Sequence, residues 1–299
     1  MKMEYQNISN SSLFARASVE ELVSSTVLGL CCALGVPGNT AVMVMLAQHL
    51  KEGSFTPKLM LSLAVSDLLS LIFLPVWIYA LLNGWVFGRG LCKLLSYIVY
   101  WSLYSSVLSV TLLSVQRFLQ VLYPQRWAKL GQKGQKGLIF GIWISSGALG
   151  SYALYFRNVK QKMNGLLECH QDYRNNPEKL AVLLVETLVM FVVPLLSLLF
   201  FYLRLYQRIH QSASFKSHRF TKLAVRIVVV FFIFGTPCMI NNFVLMALSW
   251  KTAVSNNITG ALFFINSCVN PFLYAFSART LRCRRKQHLD EPQHQNETE

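Results

Sequence analysis

Charge is scarce in this sequence. Of its 299 residues 14% are charged, where a soluble domain carries about 25%, and only 13 are acids against 28 lysines and arginines. With hydrophobic residues at 54%, that shortage argues against a soluble globule and for a membrane. Catalytic groupings are missing too. The six histidines, His49, His170, His210, His218, His288 and His294, fall in loops, at span ends or in the tail. They offer neither metal-ligand spacing nor a nucleophile–base pair, which argues against an enzyme. No internal repeat or pair of broken helices is visible, which argues against the main alternative class, a transporter or channel. No basic-then-apolar leader precedes the first apolar run, so that run is expected to act as the insertion signal.

Apolar runs recur at about 21–48, 58–82, 91–122, 136–156, 180–208, 217–248 and 254–277. Each exceeds the roughly 20 residues that cross hydrocarbon as a helix. The expected fold is an all-α membrane protein, a seven-transmembrane helix bundle over 21–277. It lies between a tail at 1–20 and a short interfacial helix with a polar tail at 278–299. Lysine and arginine set the orientation. Arg117, Arg126, Lys129, Lys133 and Lys136 in 117–137, and Arg204, Arg208, Lys216, Arg219, Lys222 and Arg226 in 204–226, stand without any acid. Those loops belong inside the cell. The N-terminus is then extracellular and the C-terminus cytoplasmic, in the plasma membrane. The net charge of +15 reads as this topology signal, not as affinity for nucleic acid.

Asn7-Ile8-Ser9 and Asn10-Ser11-Ser12 are glycosylation acceptors in the external tail. Cys31, Cys32, Cys238 and Cys268 lie in apolar runs and read as small buried hydrophobes. Cys92 opens the third span and Cys169 lies in the loop after the fourth, so both face the oxidising exterior and could form a disulfide. Cys283, among Arg282, Arg284 and Arg285, suits palmitoylation, with an unmodified thiol as the alternative.

Asp67 and Glu186 are acids within spans, and an intramembrane ionisable residue is a functional candidate because burying its charge is costly. Asp67 with Ser106, Asn266 and Asn270, and with Asn39 and Ser267 nearby, could hold a sodium ion through oxygen ligands. A hydrogen-bonded network without an ion is the plainer alternative. No other cofactor is expected.

The seventh span ends Asn270-Pro271-Phe272-Leu273-Tyr274, where the proline kinks the helix and frees a carbonyl. This segment resembles the signature of the rhodopsin-like (class A) G-protein-coupled receptors. The similarity runs on in order through Gly38-Asn39, Leu63-Ala64-Val65-Ser66-Asp67, Trp85, Cys92, Arg117, Trp143, Pro194 with Tyr202, and Phe231 with Pro237. The resemblance implies a bistable bundle in which an outer ligand biases the sixth span to swing outward and admit a heterotrimeric G protein. Arg117 would meet the G protein, supported by Tyr202 and Tyr274. Arrestin is a further partner, though the tail offers it few hydroxyls.

Three residues depart from the family pattern. Gln116 stands for the acid before the arginine, Phe118 for the tyrosine after it, and Gly235 for the tryptophan two residues before Pro237. Gln116 would hold Arg117 only by a hydrogen bond weaker than an ion pair, which implies raised basal signalling. The tryptophan switch cannot be carried over to Gly235, which leaves a non-signalling scavenger receptor as an alternative.

An amine receptor would need an acid where the third span has Val99-Tyr100, and an opsin would need a lysine within 254–277. Both are absent. Tyr100, Tyr104, Arg157, Glu186 and Asn242 instead suit an amphipathic acid, with Arg157 on the carboxylate and the others on hydroxyls. This constellation resembles the leukotriene B4 receptors. It implies a lipid-mediator ligand and chemotaxis-type signalling through an inhibitory-class G protein. A chemoattractant peptide is the alternative ligand. Arg157 could also be a snorkelling interfacial residue, the two tyrosines packing aromatics, and Glu186 the partner of Arg157.

Overall fold

Ser18 and Glu21 start the first helix by satisfying each other's end groups. The Ser18 hydroxyl accepts the Glu21 amide at 3.2 Å, and the Glu21 carboxylate accepts the Ser18 amide at 3.0 Å. A computed structural model describes residues 18–48, 55–162, 165–211, 218–247 and 256–272. From that cap α1 (Val19–Gln48) runs 30 residues with Pro37 inside it. The second passage is α2 (Phe55–Leu71) and α3 (Leu74–Asn83), divided at Ile72-Phe73, with a proline in the first turn of α3. The third is the unbroken 35-residue α4 (Gly88–Leu122). A short α5 (Pro124–Lys129) leads to the fourth, α6 (Gly131–Gly150) with α7 (Tyr152–Phe156). Then come two antiparallel strands, β1 (Arg157–Gln161) and β2 (Leu167–Gln171), in the register Arg157↔Gln171 to Gln161↔Leu167.

The fifth passage is α8 (Asn176–Thr187), a π-helical turn at Leu188–Val192, and α9 (Val193–Gln211). The sixth is α10 (His218–Ala247), 30 residues with Pro237 inside it. The seventh is α11 (Asn256–Phe263), a break at Phe264, and helix again over 265–272. Five of the passages are long and apolar enough to cross a membrane, judged over the described residues alone: Val19–Ala47, Phe55–Asn83, Gly88–Leu122, Gly131–Phe156 and Asn176–Phe201.

Two helix starts differ most from the apolar reading. The fourth begins at Gly131, before the expected 136, because its opening turns are glycine, glutamine and lysine, which an apolar count passes over. The fifth begins at Asn176, before 180, because the Asn175 side chain caps it by accepting the Glu178 amide at 2.9 Å. The hairpin appears where only a loop was expected. The tail acceptors Asn7 and Asn10, together with Tyr274, Cys283 and the expected interfacial helix, lie outside the described residues, as does the side chain of Tyr202.

Large apolar side chains such as Phe140, Ile144, Leu196 and Leu203 point outward, as a lipid-facing surface requires. The inside carries small and polar groups, including Ser66, Ser105, Ser109 and Ser114, which let backbones approach closely. α4 is the central post, packed by α2, α6, α9 and α10. Close approach shows at two glycines. A Cβ on Gly150 would stand 3.0 Å from the backbone nitrogen of Trp101, and one on Gly35 only 2.6 Å from Leu71 Cδ1. Two indoles lock the second, third and fourth passages together: Trp143 Nε1 donates to Ser62 Oγ at 3.0 Å, and Trp101 Nε1 to the Trp143 carbonyl at 2.9 Å.

Candidate functional site

The hairpin roofs one end of the bundle and is fixed from four sides. Cys92 on α4 is disulfide-bonded to Cys169 on β2, the pairing that their shared compartment allowed. The Trp85 amide donates to the Leu167 carbonyl at 2.7 Å, and the Asp172 amide to the Phe156 carbonyl at 2.7 Å. Lys162 Nζ reaches Glu21 at 3.0 Å and Glu168 at 3.7 Å, tying the first helix to the roof. Lys160 sits 2.5 Å from Asp172, and this hydrogen bond holds the Asp172 carboxyl below the usual carboxylate range.

Beneath the roof lies a cavity of about 360 Å³. Tyr100, Tyr104, Arg157, Glu186 and Asn242 all line it, so the folding brings together residues from four separate stretches of chain. Arg157, the first residue of β1, donates from Nη2 to the Tyr100 hydroxyl at 3.2 Å and from Nη1 to the Cys169 carbonyl at 3.3 Å. Both acceptors are neutral, and the buried Nε has no partner. Among the described residues no ion pair includes Arg157 or Glu186, so the alternative that they pair with each other is corrected. The Glu186 carboxylate instead accepts from the Tyr152 hydroxyl, and Asn242 and Gln171 also reach it. Tyr104 is fully buried, and the nearest polar group to its hydroxyl is that of Tyr152.

Sequence reasoning missed Gln171 and Tyr152. Gln171 Nε2 donates to the Tyr100 hydroxyl at 3.0 Å and faces Arg157 across the hairpin. That neighbour relation exists only once the two strands pair. Tyr152 packs at a tilt against Tyr100, ring centroids 5.0 Å apart. Its one sequence signal was its place within a turn and a half of Arg157 at the end of the fourth passage. The remaining lining is mixed: Leu28, Leu74, Trp77, Leu81 and Phe264 form an apolar side, while Lys162, Glu168, His170, Asn241 and Thr259 add polar groups.

A second polar cluster lies deeper. Asp67, fully buried, accepts from Ser106 Oγ at 3.0 Å and from Asn270 Nδ2 at 2.7 Å, and Ser267 also reaches it. Asn39 reaches not Asp67 but the Gly35 and Ser267 carbonyls, each at 2.9 Å. Neither polar atom of the Asn266 side chain has a partner, and the Asn39 Oδ1 oxygen is also unpartnered. A carboxylate, a hydroxyl and unpartnered amide oxygens make a donor set that fits a hard cation.

At the other end of α4, Gln116 and Arg117 turn to one residue. Gln116 Nε2 donates to Thr56 Oγ1 at 2.6 Å and Arg117 Nη2 to the same oxygen at 3.1 Å, while Arg117 Nη1 meets Gln120 at 3.2 Å. The expectation that Gln116 bonds Arg117 directly is therefore corrected. Gln116 is long enough to reach across to α2, and the shared hydroxyl joins the two side chains. Phe118 packs its ring against Phe201, with centroids 4.9 Å apart.

A helical bundle with a roofed cavity at one end, a buried acid at its centre and an arginine towards the other end suits a membrane receptor. The family described as 7 transmembrane receptor (rhodopsin family) matches residues 38–274, and the chain belongs to it. It is thus a multi-pass plasma-membrane receptor of the G-protein-coupled class, and its family is not one of enzymes. Similar proteins include the mouse C-X-C chemokine receptor type 2, 29% identical over 85% of this chain and 74% of the relative. Human leukotriene B4 receptor 1 is also 29% identical, over 85% and 76%. The G-protein coupled receptor E1 of equine herpesvirus 2 is 30% identical, over 83% and 69%.

Proposed function

We propose that this receptor reads an amphipathic lipid acid of the leukotriene B4 kind and signals chemotaxis-type responses through an inhibitory-class G protein. The observation that carries the reading is Arg157, a cavity-lining guanidinium bonded only to the neutral Tyr100 hydroxyl and Cys169 carbonyl, with a buried Nε left over. A carboxylate entering the cavity would exchange those neutral contacts for charge-assisted ones. The apolar walls would cover a hydrocarbon chain, and Glu186, Tyr104 and Asn242 would address its hydroxyls.

Saturation binding of tritiated leukotriene B4 to surface-expressed receptor tests this. Arg157→Ala should weaken binding at least about tenfold, the loss expected for a charge-assisted contact, and Glu186→Gln by a smaller factor. Equal binding by correctly expressed Arg157→Ala would reject the carboxylate role. A chemoattractant peptide is the second reading, favoured by the equal identity to a chemokine receptor. Calcium and cAMP responses to a panel of lipids and peptides separate the two. Sodium at Asp67, Ser106 and Asn266 is part of the proposal. It would supply positive charge to the buried carboxylate, with Asn270 holding the second carboxylate oxygen from the side.

A further inference from the structure

The seventh passage breaks where it meets the cavity. Phe264 donates its amide to the Ala261 carbonyl at 3.2 Å, and its own carbonyl, which also accepts the Cys268 amide at 3.3 Å, accepts the Ser267 amide at 3.1 Å. The bonds with Ala261 and Ser267 are three-residue bonds tighter than an α-helix allows, a common mark of a hinge. Phe263 stands on the last turn before that break. Its side chain lines the cavity and packs with Tyr104, Val107, Met190 and Met239, drawn from three other passages.

Across from it α10 is weakened in its own way. Pro237 has no amide to give to the carbonyl four residues back. Thr236 Oγ1 bonds back to the Phe232 carbonyl at 2.5 Å, a contact that bends helices. Between these two points stands Gly235, and a Cβ placed there would meet the Phe263 ring at 3.6 Å and nothing nearer. The ring thus borders the space that a side chain at Gly235 would occupy, two residues before Pro237. Three residues beyond the break, Ser267 reaches Asp67.

We propose that Phe263 is a positioning residue that couples the cavity to the proline-weakened stretch of the sixth passage, its ring standing against the place where a side chain at position 235 would sit. A ligand that displaces the ring moves a wedge between two locally weak helices. The side chain absent at Gly235 is what gives the wedge its seat. The inference rests on membership of the receptor family and not on the lipid reading, because its test uses no ligand; only the G-protein arm of that test rests on the inhibitory-class coupling proposed above.

The test is double electron–electron resonance on receptor in lipid nanodiscs. Labels go on Lys129 and on the His218 end of α10, attached through engineered ketone side chains that spare the native cysteines. Spectra are taken with and without purified nucleotide-free inhibitory-class G protein. Wild type should show two distance populations. Phe263→Ala should change their ratio at least about fivefold, the low end of an allosteric coupling. Gly235→Leu in that background refills the space and should bring the ratio back to within about twofold of wild type, although Gly235→Leu alone shifts it. Phe263→Leu replaces Phe263→Ala if the smaller variant does not fold. A ratio that moves less than fivefold overturns the proposal, as does an additive double variant, or a wild type with one population under both conditions.

Discussion

Thr56 offers the sharpest test of how Arg117 is held. Its hydroxyl accepts two donors, the Gln116 amide at 2.6 Å and the Arg117 guanidinium at 3.1 Å. Thr56 and Gln116 are buried, at 7% and 0% exposure. Thr56→Val keeps the shape and deletes the acceptor. A buried amide left without its partner costs about 1–3 kcal/mol, and a bond from a charged donor is worth about 1.5–3 kcal/mol. Arg117 keeps Gln120 as an acceptor, so much of the second figure is recovered, and a total near 2 kcal/mol is reasonable. If that cost falls on the conformation in which Arg117 is turned to α2, the equilibrium shifts about 30-fold toward presenting Arg117, at 1.36 kcal/mol per factor of ten.

The assay is ligand-free GTPγS uptake by an inhibitory-class G protein with purified receptor in nanodiscs, corrected for receptor number. Uptake should rise by an order of magnitude in Thr56→Val. It should fall below wild type in Gln116→Asp, which sets a carboxylate beside the arginine. Thr56→Val uptake within twofold of wild type, at unchanged thermal stability, refutes the idea that the shared hydroxyl restrains Arg117.

Other expectations follow from the packing and the polar sites. Gly150→Val should lower stability by about 1–3 kcal/mol, because the new Cβ meets the Trp101 backbone, which cannot turn aside. Gly137→Val, where a Cβ meets nothing within 4 Å, should melt like wild type, and equal melting of the two variants in detergent would show that the contact is not tight. Cys92→Ser opens a disulfide that spans 77 residues of sequence and should cost about 2–4 kcal/mol, read as loss of surface expression at 37 °C. If sodium binds at Asp67, replacing choline chloride by sodium chloride should raise the melting temperature of wild type and leave Asp67→Asn unmoved. An equal rise in both would assign the effect to ionic strength.

What could be read from sequence was whatever depends on near neighbours along the chain. Helix passages follow from apolar length. The five cavity residues could be named because each is an unusual polar group at the outer end of a span. The hairpin stayed invisible because its register, Arg157 against Gln171, is a relation between strands that no helical period announces. For the same reason Gln171 and Tyr152 were missed while their partners Tyr100 and Glu186 were found. Asn266 and Asn39 show the limit within a correct region. Both belong to the right helices, yet Asn266 bonds nothing and Asn39 braces the Ser267 carbonyl, an outcome that side-chain direction decides and residue type does not.

The three departures from the family pattern make the same point from the other side. Read alone, Gln116, Phe118 and Gly235 are losses: an ion pair, a hydroxyl and an aromatic switch. In the fold each is met by a residue on another helix. Gln116 reaches Thr56, 60 positions away. Phe118, without a hydroxyl to satisfy, packs in the rings of Phe200 and Phe201. Gly235 leaves a space that the Phe263 ring borders. A single substitution at any of the three leaves its partner behind with an acceptor short of a donor, an unpaired ring face or an empty seat. The family residue restored alone should therefore perturb more than it repairs: Gly235→Trp must displace Phe263, and should signal normally only when position 263 is made small as well. Normal coupling by Gly235→Trp with Phe263 intact would mean that the ring bears no load.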